Sequence, residues 1–143
     1  MLHWNEQFET GHTEIDAQHK MLINYVNRLG SMAGNNNPNR QEIEFALRFL
    51  DFIERYTAIH FHHEENCMAS FKCPIHQFNK TAHRDFLFFF HDFRQRFNTN
   101  GCQMQLVREL HERCSHWIEE HILRVDTQIR PCVNWPTEAG KRS

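Results

Sequence analysis

An all-α fold, an antiparallel up-down-up-down four-helix bundle with an N-terminal arm, is what three features of this sequence predict. Four segments carry apolar residues at alternating spacings of three and four, each is closed by a clear break, and the connections are short enough to make successive helices antiparallel neighbours. With 143 residues the chain fits one compact domain. It divides into a helical domain over 1–130 and a C-terminal arm or linker over 131–143.

Residues 1 to 13, with Trp4, Phe8 and the Thr10-Gly11-His12-Thr13 turn, read as an irregular arm packed on the bundle, with Thr13 capping the first helix. That helix runs to about Leu29 on the stripe Ile15, His19, Leu22, Val26, Leu29, and the break from Gly30 to Asn39 comes next. The second helix, Arg40 to Ser70, carries Ile43, Ala46, Leu50, Ile53, Thr57, His60 and Glu64 inward. The third begins after Pro74 with His76, Asn79, His83, Phe86, Phe90, Phe93 and Phe97 on one face, polar in its first half and aromatic in its second. Phe88 and Phe89 leave that face. The fourth, from about Cys102, aligns Met104 or Val107 with Leu110, Cys114, Trp117 and His121, and Asp126 lies five residues beyond.

Charge excludes some partners: 16 basic against 18 acidic residues give no excess for a phosphate backbone, so nucleic acid is not expected. No stretch approaches a membrane span and no secretory leader opens the chain, so a cytoplasmic location and no membrane partner are expected. Five cysteines without CxxC spacing fit neither a disulfide framework nor a zinc ribbon, and free thiols are the expectation.

Twelve histidines and thirteen phenylalanines are the compositional anomaly, and the inward stripes hold several of both. His60 and Glu64, four residues apart, share a helical face, and an imidazole beside a carboxylate that can bridge suits iron, manganese or zinc. In an antiparallel bundle His19 near the start of the first helix, His60 and Glu64 near the end of the second, His83 near the start of the third, and His121 with Asp126 at the end of the fourth all fall at one end. Buried imidazoles and carboxylates gathered there without a cation would be left uncompensated, so a metal site is expected. His62, His63, His91, His111 and His116 fall off the stripes and read as solvated or engaged in surface pairs.

These segments resemble bacterial hemerythrin domains. The likeness rests on Trp4, Ile15-Asp16-Ala17-Gln18-His19-Lys20, His60-Phe61-His62-His63-Glu64-Glu65 with Met68, the His83 to Phe86 pair, and Trp117-Ile118-Glu119-Glu120-His121 with Asp126. The resemblance implies two iron ions, oxo- or hydroxo-bridged when oxidised, with His19 and His60 on one, His83 and His121 on the other, and Glu64 and Asp126 bridging. The family pattern has a further histidine four residues before His83, where this chain has Asn79. That departure implies an open position for water or an anion beside Asn79, unless His76 one turn earlier reaches inward.

The resemblance further implies a binding module for dioxygen and small anions rather than an enzyme. The missing histidine disfavours a reversible carrier, so a sensor of oxygen or redox poise, the input module of a diguanylate cyclase or chemoreceptor joined through the C-terminal segment, is expected ahead of an oxygen carrier or storage protein, a di-iron oxidase or a peroxidase.

Overall fold

Four helices account for most of the chain: α1 Thr13–Ala33, α2 Arg40–Ser70, α3 His76–Asn100 and α4 Met104–Arg124. The computed structural model describes residues 1–100 and 103–132. Within these, α1 packs on α2 and α4, and α3 packs on α2 and α4, the neighbour relations of an up-down-up-down bundle. No helix of the described residues is long and apolar enough to cross a membrane.

Local chemistry sets the helix ends. His12, not Thr13, caps α1, its ring Nδ1 accepting from the Ile15 amide at 3.3 Å. Asn39 and Glu42 close a reciprocal capping box that starts α2, each side chain accepting from the other's backbone amide. The first helix also runs four residues past Leu29, through Gly30, and His111 of α4 lies against that glycine. A Cβ there would stand 2.7 Å from His111 Cε1, so the glycine serves close helix packing rather than a turn.

At the end of α2, the Cys73 amide donates to the Met68 carbonyl and the Lys72 amide to the Ala69 carbonyl, with Lys72 at φ 54°. This is the Schellman arrangement, here with lysine where glycine is favoured. It brings Cys73 back onto Met68, and both are buried in one small cluster with Ile15 and Ile129. Cys73 and Cys132 form a disulfide with Cα atoms 5.7 Å apart, which corrects the expectation of free thiols for this pair. Residues 59 apart in sequence are brought together by the turn after α2 and the 3-10 turn Asp126–Ile129, a proximity that cysteine spacing does not encode. Cys67 and Cys114 are free. Cys102 lies outside the described residues, as does most of the segment expected to be an arm or linker.

The stripes face inward as periodicity predicts, apart from the half-buried Ile43, Met104 and Trp117 and the half-exposed His76. Two apolar clusters result. The larger contains Leu29, Leu50, Phe90, Phe93, Phe97, Val107 and Leu110, and the smaller is the one around Met68. Between them on α1 lies His19, flanked by Ile15 and Ile23, and on α2 lie His60 and Glu64, flanked by Ile53 and Met68, so the buried polar residues form a layer with apolar packing on both sides. The arm packs as expected: Leu2 exchanges two backbone hydrogen bonds with the Asn27 side chain, and Arg130 donates to the Glu9 and Gln7 carbonyls. Phe88 and Phe89 part company, Phe88 being exposed and Phe89 packing toward α4 under the Arg113 guanidinium.

Candidate metal centre

His19, His60, Glu64, Asn79, His83, His121 and Asp126 are all buried, and they come from all four helices and the 3-10 turn after α4. His19 Nε2 lies 3.0 Å from Glu64 Oε2 and 3.1 Å from Asp126 Oδ2. His60 Nε2 is 3.5 Å from the same Glu64 oxygen. His83 Nε2 is 3.2 Å from Glu64 Oε1, and His121 Nε2 is 3.2 Å from Asp126 Oδ1 and 3.2 Å from His83 Nε2. Each carboxylate therefore presents one oxygen to the His19 side and the other to the His83 and His121 side. Two groups of converging ligand atoms result, one of His19, His60 and Glu64, the other of Glu64, His83, His121 and Asp126.

The supply of hydrogens shows that these residues suit a cation. The one hydrogen that His121 Nε2 can carry faces Asn79 Oδ1 at 2.6 Å, His83 Nε2 and Asp126 Oδ1, and it cannot serve all three. Asp126 Oδ1 is buried and accepts no hydrogen bond. Lone pairs converging from four imidazoles and two carboxylates in a water-excluded layer are compensated when positive charge sits among them. The field inside the layer has the same character. Burial and Asp126 oppose ionisation of Glu64, yet contacts from His19 and His83 hold its carboxyl below the ordinary range. Burial likewise opposes ionisation of Asp126, yet His121 and His19 hold it well below that range. Burial lowers the His60 pKa to about 3, with His19 adding to the effect, while at His19 burial is outweighed by Asp126 and Glu64 and the pKa rises to about 10.

Asn79 stands at the expected position one turn before His83. Its amide donates to Glu64 Oε1 at 2.8 Å and lies 3.2 Å from Met68 Sδ. His76 opens α3 half-exposed and belongs to neither group. His12, which caps α1, sits edge-on to His63 at 6.2 Å, and His63 lies 3.2 Å from the Glu14 carboxylate.

Several residues around the layer have roles that helical periodicity does not show. His60 Nδ1 donates to Gln18 at 2.7 Å, and His83 Nδ1 donates to Glu65 at 2.9 Å. Phe61 stacks flat on His83 at 3.7 Å, and Trp117 stacks on His121 at 4.2 Å. Gln18 and Glu65 each adjoin a stripe residue and fall within the segments that carry the family resemblance, but periodicity alone gives neither a role. An internal cavity of about 10 Å³, lined in part by His19, His60, His121 and Asp126, adjoins the layer. It has room for about one water-sized molecule. A much larger groove of about 740 Å³ lies outside, between α2 and α3, and Glu65, His83 and Phe61 line it together with Lys80, Arg84 and Phe88.

The chain is similar along nearly its whole length to proteins of one kind. It is 25% identical over 131 residues to a bacteriohemerythrin of Clostridium acetobutylicum, an alignment covering 90% of this chain and 98% of that protein. The crystal structure of a wild-type hemerythrin superposes with a TM-score of 0.78 at 24% identity, covering 92% of this chain and 97% of the other, and so shares the fold. The family model for the hemerythrin HHE cation-binding domain matches residues 10–133, and the chain belongs to that family.

Proposed function

We propose that this domain holds two iron ions and acts as a sensor of dioxygen or redox poise. His19 and His60 bind one iron, His83 and His121 the other, and Glu64 and Asp126 bridge them. The observation that carries this reading is the division of each carboxylate between the two groups of imidazoles, since a carboxylate has two oxygens and each imidazole directs one lone pair inward. Such a pair of irons supplies reversible one-electron chemistry at each metal and a place for dioxygen or a small anion.

The protein's own residues select the ligand by size. The cavity of about 10 Å³ beside the layer has no room for an organic substrate, which disfavours an oxidase that binds one there. Asn79 favours a sensor over an oxygen carrier or storage protein. Its amide is committed to Glu64, so the iron beside it has two imidazoles where the family pattern has three, and both metals keep room for exogenous ligands. Easy entry of anions and ready oxidation suit a domain that reports its state to an attached signalling output in the cytoplasm, such as a diguanylate cyclase or a chemoreceptor.

Elemental analysis of the purified protein, with optical spectra before and after anaerobic reduction and on readmission of air, tests the reading. Two irons per chain and an oxygen-sensitive near-ultraviolet band are expected. One metal per chain, or zinc alone, overturns it.

A further inference from the structure

Two histidines that face each other across the buried layer are held from behind by groups of different charge. His60 Nδ1 donates to the Gln18 amide oxygen at 2.7 Å, and His83 Nδ1 donates to the Glu65 carboxylate at 2.9 Å. Both contacts place the ring hydrogen on Nδ1 and leave the Nε2 lone pair facing Glu64. Each ring is therefore oriented by an acceptor at Nδ1, and the two acceptors differ in charge. The carboxylate stands on the side where Asn79 contributes no nitrogen.

We infer that Glu65 is a positioning residue whose negative charge, delivered through His83, holds the second metal in the centre. The inference rests on the two-metal reading above. A carboxylate accepting the Nδ1 hydrogen makes the imidazole a stronger donor at Nε2, and partners of this kind are worth roughly 10–100-fold in metal affinity. An amide oxygen at the corresponding position on His60 orients the ring without that gain. The flat Phe61 ring on His83 leaves Glu65 as the polar partner of the outer edge of that imidazole. Glu65 also lines the groove between α2 and α3, where its side chain remains 18% exposed.

A simpler role for Glu65 would be to fasten α2 to α3 through its hydrogen bond. Glu65→Gln separates the two, because the amide oxygen keeps the hydrogen bond and removes the charge. The experiment is titration of the metal-loaded protein with a chelator, followed by elemental analysis, alongside measurement of the reduction midpoints and the melting temperature. Glu65→Gln is expected to release one of its two metals at a chelator concentration at least tenfold lower than the parent, and the other at an unchanged concentration. One reduction midpoint should rise by an amount corresponding to at least a tenfold change in the ferric-to-ferrous binding ratio, or about 59 mV for one electron. Gln18→Glu should tighten the other metal and lower the other midpoint. The metal-free melting temperature of Glu65→Gln should match the parent. If Glu65→Gln retains both metals and both midpoints while Glu65→Ala loses them, orientation alone is at work and the inference falls, with the two-metal reading intact. A parent that binds fewer than two metals removes both.

Discussion

Asn79 Oδ1 and His121 Nε2 face each other at 2.6 Å within the buried layer, while the other end of the same amide is fixed on Glu64. The asparagine thus fills the position one turn before His83 and still withholds a nitrogen lone pair. Asn79→His places an imidazole on the same helical face as His83. Slower oxidation of the reduced protein in air and weaker azide binding are expected, both read from optical spectra. Unchanged rates would show that the position does not limit access to the centre. Asn79→Ala strips Glu64 Oε1 of its amide donor and should cost about 1–3 kcal/mol of stability in denaturant titrations.

The shared carboxylates should matter more than any single imidazole. Glu64 touches His19, His60 and His83, so Glu64→Ala is expected to release both metals, whereas His60→Ala should release one. Metal content per chain after gel filtration decides. Equal loss in the two variants would contradict the bridging role.

Gly30 offers a packing test far from the metals. Alanine gains up to about 1 kcal/mol of helix propensity over glycine, but overpacking costs about 1–3 kcal/mol. With His111 against the glycine, Gly30→Ala should be net destabilising in the parent and stabilising in a His111→Ala background. A double-mutant cycle from urea melts gives the coupling, and the same sign in both backgrounds would refute the contact.

Lys72 adopts φ 54° at the position after α2 where glycine is favoured. A side chain in the left-handed region carries about 1–2 kcal/mol of strain, so Lys72→Gly should raise the melting temperature even though glycine adds entropy to the unfolded chain. A lower melting temperature would place the stabilising interactions of the lysine above its strain.

The disulfide can be examined by substitution and by reduction. A bridge spanning 59 residues should contribute about 2–4 kcal/mol, so Cys132→Ser should melt lower, and a dithiol reductant should lower the parent by a similar amount while leaving Cys132→Ser unmoved. Alkylation of the native protein should mark Cys67, which is half-buried, and spare Cys114, whose thiol burial pushes up to about 12. Peptide mapping after alkylation reads both.

Helical periodicity made the bundle legible because polar and apolar members of each inward stripe obey the same rule. His19 follows Ile15 by four just as Val26 follows Leu22, and the antiparallel order then carries the polar members to one end. What escaped were features set by contacts across the fold. Gly30 looks like a terminator until His111 is placed against it, and Cys73 and Cys132 have no spacing that announces a bond. Gln18 and Glu65 lie beside the stripes, and their hydrogen bonds to His60 and His83 depend on how neighbouring helices rotate. The cap at His12 escaped because threonine is the commoner capping residue and a ring nitrogen is an unusual acceptor.

The bond between Cys73 and Cys132 also decides how the domain bears mechanical load. Tension applied to the chain beyond Cys132 passes through the bridge into the turn that joins α2 to α3, and the 3-10 turn Asp126–Ile129 is shielded from it. Once the bridge is reduced, the same pull runs along that turn toward Asp126, which faces both His19 and His121. Arg130, holding the Glu9 and Gln7 carbonyls, and Ile129, buried against Ile15 and Met68, then hold that path, so the sulfur pair determines whether force meets the buried centre through Asp126 or through the helix ends that carry Glu64 and Asn79.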